Sequence, residues 1–329
     1  MMYRKIIVLI VILMIGGLWS CEVSETDQIS DVEDTIMRII AADDSTYAID
    51  GFENISNESF PLNKTSEATA IELMAMTEVV IDSNYIWRFG RSDMSNTQEV
   101  TIEIENDTAA VSLISHHITG VYHVQQFNRI WTSDSTWIVG DSVRFSQKPI
   151  EMTIDRRVAF RKRVLLDESE RWMATDMTLA YGSSGEALNI HSLEWVAEDS
   201  TKILDDFETT FYGRANPLVF AMQGFNHINV IVSNDVIGNA ESIVGKFGFH
   251  PRLNGPGLRN RVFYQYIETL ESGDKVYSSL IPAVQRPLRH FKGFVEVLDF
   301  RTLFDHDYET YSAATVGFIY MMRQHVRPH

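Results

Sequence analysis

The sequence predicts an α+β fold: N-terminal helices packed on a curved antiparallel sheet, followed by an all-β sandwich. Three observations lead there. Apolar residues first recur at helical spacing, in Val32, Ile36, Ile39 and Ile40. From Tyr85 onward the period changes to two, in run after run. Beyond the loop Gly182-Ser183-Ser184-Gly185-Glu186, strand-like runs continue with turn signals between them and without a convincing helix.

The expected elements follow in order. The first helix has Asp31 as its N-cap and acids in its first turn, where the helix dipole favours them. A stretch rich in Asn, Ser and Pro up to Thr65 reads as loop. A second helix runs from about Glu67 to Asp82, with Ile71, Met74, Ala75 and Val79 on its apolar side. Strands are expected at Tyr85 to Gly90, Glu99 to Glu105, Thr108 to Val124, Phe127 to Trp137, Pro149 to Leu166 and Arg171 to Tyr181. Asn106-Asp107 and Leu166 to Glu170 read as hairpin turns between them. The later strands are Leu188 to Val196, Phe225 to Ser233, Ala240 to Phe249, Val262 to Glu271, Lys275 to Ala283, Phe291 to Phe300 and Ala313 to Arg323. Glu271 to Lys275 is a turn in which Gly273 supplies a positive φ.

Two fold resemblances follow from these elements. Tyr47 and Asp50 stand at the end of the first helix and Trp172 in the last long strand. With them, the order of elements over about residues 31 to 182 resembles the cone-shaped fold of ketosteroid isomerases and nuclear transport factor 2 relatives. The later strands resemble an immunoglobulin-like β-sandwich in number and spacing, without the buried cysteine pair of antibody domains.

The start of the chain carries an address. Arg4 and Lys5 precede the apolar run Ile6 to Leu18, which is shorter than the roughly 20 apolar residues that cross a hydrocarbon core and fits a secretory h-region of roughly 7 to 15. Leu18-Trp19-Ser20-Cys21 then resembles the lipobox of bacterial lipoproteins, although Trp19 is bulkier than that family usually places there. The resemblance implies cleavage before Cys21 and acylation of its sulfur and new amino terminus. The mature protein would then hang from a membrane by lipid, because a single acyl chain holds only reversibly and several hold firmly. An Asp after the cysteine favours inner-membrane retention in enterobacterial lipoproteins; Glu22 leans toward the outer membrane. The expected division is a signal peptide at 1–20, an acidic tether at 21–30, the α+β cone-like domain at 31–182 and the β-sandwich domain at 183–329.

Charge narrows the partners. The chain holds 28 Lys and Arg against 45 Asp and Glu, a formal net charge of −17. Such a surface is repelled by phosphate backbones, which argues against nucleic acid. Cys21 is the only cysteine, so no disulfide forms within the chain and the core must stabilise it unaided.

The candidate chemistry is sparse. His116, His117 and His123 share one expected strand, but His117 and His123 are about 20 Å apart along it and His116 points the other way, so no metal site is expected. Arg157, Arg161 and Arg163 fall on one strand face, which reads either as an anion-binding patch or as a solvated face paired to acids. Tyr47, Asp50, His117 and Asp176 are the candidates for lining a pocket at the open end of a cone. Asp305-His306-Asp307 lacks the glycine and glutamate spacing of an EF-hand. No Gly-x-Ser-x-Gly elbow or phosphate-cradling glycine loop is present, and no cofactor is expected. The leading expectation is a non-catalytic, lipid-anchored envelope protein that binds envelope proteins or glycans. The alternatives are a cone-fold enzyme or carrier of a small hydrophobic molecule, and a structural spacer.

Overall fold

The computed structural model describes residues 25–42, 60–61, 84–132, 137–164, 170–185, 187–197, 200–213, 216–221, 226–234, 241–249, 259–281 and 290–323. Helix α1 (Glu25–Ala42) is followed by β1 (Phe60–Pro61) and three very long strands, β2 (Tyr85–Asn106), β3 (Ala109–Trp131) and β4 (Trp137–Val164). Then come β5 (Glu170–Met177), β6 (Ala180–Ser184), β7 (Leu188–Ala197), β8 (Ser200–Leu204), β9 (Tyr212–Gly213), β10 (Val219–Ala221) and β11 (Asn226–Asn234). The chain continues through β12 (Glu241–Phe249), β13 (Arg259–Phe263), β14 (Gln265–Thr269), β15 (Lys275–Ile281) and β16 (His290–Asp299), the single-turn helix α2 (Phe300–Phe304) and β17 (Ala313–Arg323).

Two sheets result. The larger has twelve strands, with the main order β1-β2-β3-β4-β6-β17-β16-β12-β13; the smaller has five, in the order β14-β15-β11-β7-β8. The smaller sheet lies face to face with β12, β16 and β17 over one core, built from Ile190, Leu193, Trp195, Ile228, Val230 and Tyr277 on one side and Phe247, Val295, Val316, Phe318 and Tyr320 on the other. The larger sheet curls, so that the inner face of β2 to β4 (Phe89, Ile118, Tyr122, Val124, Met152, Ile154) packs with Val244, Leu298, Leu303 and Tyr311 in a second core. Residues 293–300 and 311–318 are therefore buried without interruption, as expected of strands covered on both faces. In a third core at the far end of the long strands, Ile36 and Ile40 of α1 sit with Ala110, Ile114, Val158, Phe160 and Trp172.

The fold class is thus mainly β, which overturns the α+β expectation. Among the described residues about 75% are strand and about 9% helix, and α1 and α2 are the two helices. The physical reason lies in the second core. The concave face that helices would cover in a cone is instead filled by side chains from β12, β16 and the segment around α2 and Tyr311. The expected second helix at Glu67 to Asp82 lies outside the described residues, and the first begins at Glu25, within the stretch read as a tether. Asp31 is inside this helix, its carbonyl accepting from Thr35 Oγ1 at 2.7 Å. The coarser expectation of a β-sandwich agrees with the paired sheets. The expected boundary at 182/183 falls within β6, which pairs with both β4 and β17 and carries the sheet across it.

Local turn chemistry holds where the sequence placed it. Asn106 Oδ1 accepts from the Thr108 amide at 3.0 Å and closes the β2–β3 hairpin. Gly273 takes φ 93° between β14 and β15, a conformation that costs glycine little.

Candidate functional site

Alternation along β2 aims Trp87, Phe89 and Arg91 at the inner face, so a guanidinium enters the second core. There Arg91 pairs with Glu296 of β16 and donates from Nη2 to Tyr311 Oη at 2.7 Å, while Tyr311 donates to Glu296 Oε1 at 2.9 Å. All three side chains and Tyr122 are buried. Burial opposes the charge on Arg91, but Glu296 and the two tyrosines outweigh it and hold the guanidinium firmly protonated. Burial raises both tyrosines well above their ordinary value. The cluster is buried and fixes β2 against β16.

A second polar line crosses the sandwich. Glu241 accepts from Lys275 Nζ at 2.9 Å, from Tyr277 Oη at 2.5 Å and from Asn234 Nδ2 at 2.9 Å. Asp299, also buried, caps α2 by accepting from the Arg301 amide at 2.7 Å and grips the Arg301 guanidinium at 2.8 Å. Lys148 closes the line by donating to the carbonyls of Arg301 at 2.7 Å and Asp305 at 2.8 Å. Burial pulls Lys148 down to about 8, against the pull of Asp305 and Asp299. These groups satisfy one another's hydrogen bonds.

The residues singled out from sequence do not converge. Cys21, Tyr47 and Asp50 lie outside the described residues. His117 is exposed on the outer face of β3, 3.4 Å from Thr153 Oγ1. Asp176 lies half-buried on β5 opposite Ala159. Thr153 and Ala159 are six positions apart on β4, which puts His117 and Asp176 about 20 Å from each other. Asp176 instead sits against β9, where a Cβ at Gly213 would stand 1.9 Å from its Oδ1. Arg157, Arg161 and Arg163 are exposed and share the outer face of β4; Arg161 Nη1 is 3.7 Å from Glu105 across the sheet. Arg157 borders a cleft of about 140 Å³ that also has Asp155 and Glu208 in its wall, which offsets the positive potential. No cluster of three or more metal-ligating side chains occurs among the described residues.

A larger open cleft of about 520 Å³ lies between α1 and β5, lined by Thr35, Arg38, Ile39, Arg171, Trp172 and Met173. It has no acid or base pair facing into it.

The surface feature that stands out is the outer end of the β3–β4 hairpin. β2 begins at Tyr85 opposite Asn128, so beyond Asn128 the described hairpin continues as two strands alone. Ile130 pairs with Ile138 and Trp131 with Trp137, and Ile130 and Trp131 point to opposite faces. Trp131 is 56% exposed and Ile138 54%, with Ile130 and Val139 also exposed; farther along β4, where β2 still flanks β3, Val143 and Phe145 are exposed as well, Phe145 by 55%. Arg129 holds its guanidinium 5.9 Å from the Trp131 ring, and Arg88 lies 4.9 Å from the Phe127 ring. Sequence reading placed a strand at Phe127 to Trp137 and missed this end. The available signal was the adjacency of apolar residues, Ile130-Trp131 and Trp137-Ile138-Val139, on both sides of the polar stretch from Thr132 to Thr136, where alternation is lost.

No protein-family model, curated protein or solved structure matches the chain.

Proposed function

We propose that this chain is a non-catalytic, lipid-anchored protein of the bacterial cell envelope, most at home on the outer membrane, whose β-body presents a binding or assembly surface. The observation that carries the binding role is the bare apolar end of the β3–β4 hairpin, since contiguous exposed apolar surface on a folded protein marks an interaction site. The lipid anchor rests on the signal-like run and Cys21. The non-catalytic reading draws support from the polar clusters, whose acids are buried and paired within the cores, and from the wide separation of His117 and Asp176.

Two measurements test this reading. Cys21→Ser should abolish palmitate labelling and membrane fractionation while leaving the body folded; persistent labelling contradicts the anchor. His117→Gln and Asp176→Asn, made singly, should leave the phenotype of the intact gene unchanged. A loss from either variant in a folded, membrane-attached protein contradicts the non-catalytic reading and points to chemistry at that residue, on β3 for His117 or β5 for Asp176.

A further inference from the structure

We infer that the cleft between α1 and β5 holds a long-chain fatty acid, its carboxylate met by Arg38 and Arg171 and its hydrocarbon tail laid along Ile39, Trp172 and Met173. The site is independent of the hairpin end, whereas the bilayer as the source of its ligand rests on the reading of Cys21 as a lipid anchor.

Three observations carry the inference. First, the cleft is roomy and mainly apolar. Its volume of about 520 Å³ falls within the roughly 300–1,000 Å³ of small-molecule sites, and Ile39, Ala42, Trp172, Met173 and Ala174 supply hydrocarbon wall. Among the described strands, β5 pairs with β4 and meets β9 only at Asp176 and Met177, so from Arg171 to Ala174 the edge bordering the cleft carries no further strand. Second, the charges around it are of one sign. Arg38 borders the cleft from α1 and Arg171 from β5, and no acidic side chain lines it, in a chain whose net charge is −17. Arg38 donates from Nε to the Asp34 carbonyl at 3.1 Å, which leaves its two Nη groups for a ligand. Arg171 stands directly opposite Arg163 across the β4–β5 ladder, and the neighbouring Glu170 is taken by Lys162. Like charges so placed destabilise a sheet, and a bound anion relieves them. Third, the position suits a ligand drawn from lipid. Helix α1 begins at Glu25, four residues past Cys21, and Arg38 lies about 20 Å along it. Of the molecules a bilayer supplies, a free fatty acid has one anionic head and one tail, which is what two arginines and a single apolar wall accommodate.

The test uses the full chain carrying Cys21→Ser, so that no acyl group of its own competes. Parinaric acid, a fluorescent long-chain fatty acid, is titrated into this protein and then displaced by palmitate, by hexadecanol or by acetate. Parinarate should bind saturably; palmitate should displace it, hexadecanol should need an about tenfold higher concentration, and acetate should have no effect. Arg38→Gln with Arg171→Gln, both at exposed positions, should weaken palmitate about tenfold and leave hexadecanol unchanged, an asymmetry that a damaged fold would not produce. Ala42→Trp, exposed at the end of α1, should weaken acid and alcohol alike by narrowing the cleft, while Trp131→Ser at the hairpin end should alter neither. No saturable binding, or binding that neither the arginine pair nor Ala42→Trp changes, overturns the inference. Equal displacement by palmitate and hexadecanol overturns the role of the carboxylate. Palmitate labelling of Cys21 in the parent reads the anchor separately: binding without labelling keeps the cleft and removes the bilayer as the source, whereas labelling without binding removes the site and keeps the anchor.

Discussion

Strands β16 and β17 and the outer end of the β3–β4 hairpin draw on the same residue types, but the first pair is covered on both faces and the second on neither. Phe294, Val295, Val297 and Phe318 lie between two layers; Ile130, Trp131, Ile138 and Phe145 meet solvent. Covering a large apolar side chain contributes about 1.5–3 kcal/mol, so folding gains from the first group and almost nothing from the second. The difference separates residues kept for stability from residues available for binding, in a chain where β-propensity alone treats the two alike.

Substitutions in the covered region give the largest expected effects. Arg91→Met strands the Glu296 carboxylate in the second core and should cost about 3–5 kcal/mol in chemical denaturation. A cost under about 1 kcal/mol would mean that water reaches the cluster and that the region is less sealed than its burial implies. Phe318→Ala removes a ring that contacts those of Trp195 and Phe247 and should likewise cost about 3–5 kcal/mol. Gly213→Ala drives a methyl against Asp176 and the Thr175 carbonyl, with an expected loss of about 1–3 kcal/mol.

A pH titration sharpens the same comparison. Folded Lys148 releases its proton near pH 8, whereas in the unfolded chain it holds the proton to its ordinary 10.5. Between those values the unfolded state binds more protons, so this group makes stability rise with pH across that window. Denaturation of the parent and of Lys148→Met from pH 7 to 11 should show the rise in the parent and a flatter profile in the variant. Identical slopes would contradict the burial of Lys148. The smallest effects belong to the hairpin end, where Trp131→Ser and Phe145→Ser should each change stability by no more than about 0.5 kcal/mol. A larger loss would show that those side chains are covered in the free protein.

The sequence announced the strands of the sandwich well. The expected Ala313 to Arg323 is β17 itself, and the Gly273 turn is in place, because uninterrupted apolar runs and a positive-φ glycine are local signals. The long strands were read as fragments. Gly90, Asp93 and Gly120 break the alternation of β2 and β3 without ending them, and the bulge at Ser92/Ser95 preserves the pairing. Arg91 carried no readable role, since its partner Glu296 lies 205 positions away. The α+β class failed because what covers a concave face is a tertiary fact. Here strands and Tyr311 cover it, and no local pattern in β2 to β4 distinguishes them from helices. Of the candidate site residues, His117 and Asp176 were placed correctly on strands, but register decides their spacing and the sequence does not contain it.

The contrast between the two regions is tested most directly by hydroxyl-radical footprinting of Trp131 and Phe145, with Trp195 and Phe318 as internal references, on the purified protein and on intact envelopes. Trp131 and Phe145 should be oxidised rapidly in the purified protein and strongly protected in envelopes, while Trp195 and Phe318 stay protected in both. Equal oxidation of Trp131 and Phe145 in the two preparations, or protection already present in the purified protein, would contradict a bare hairpin end that serves as the binding surface.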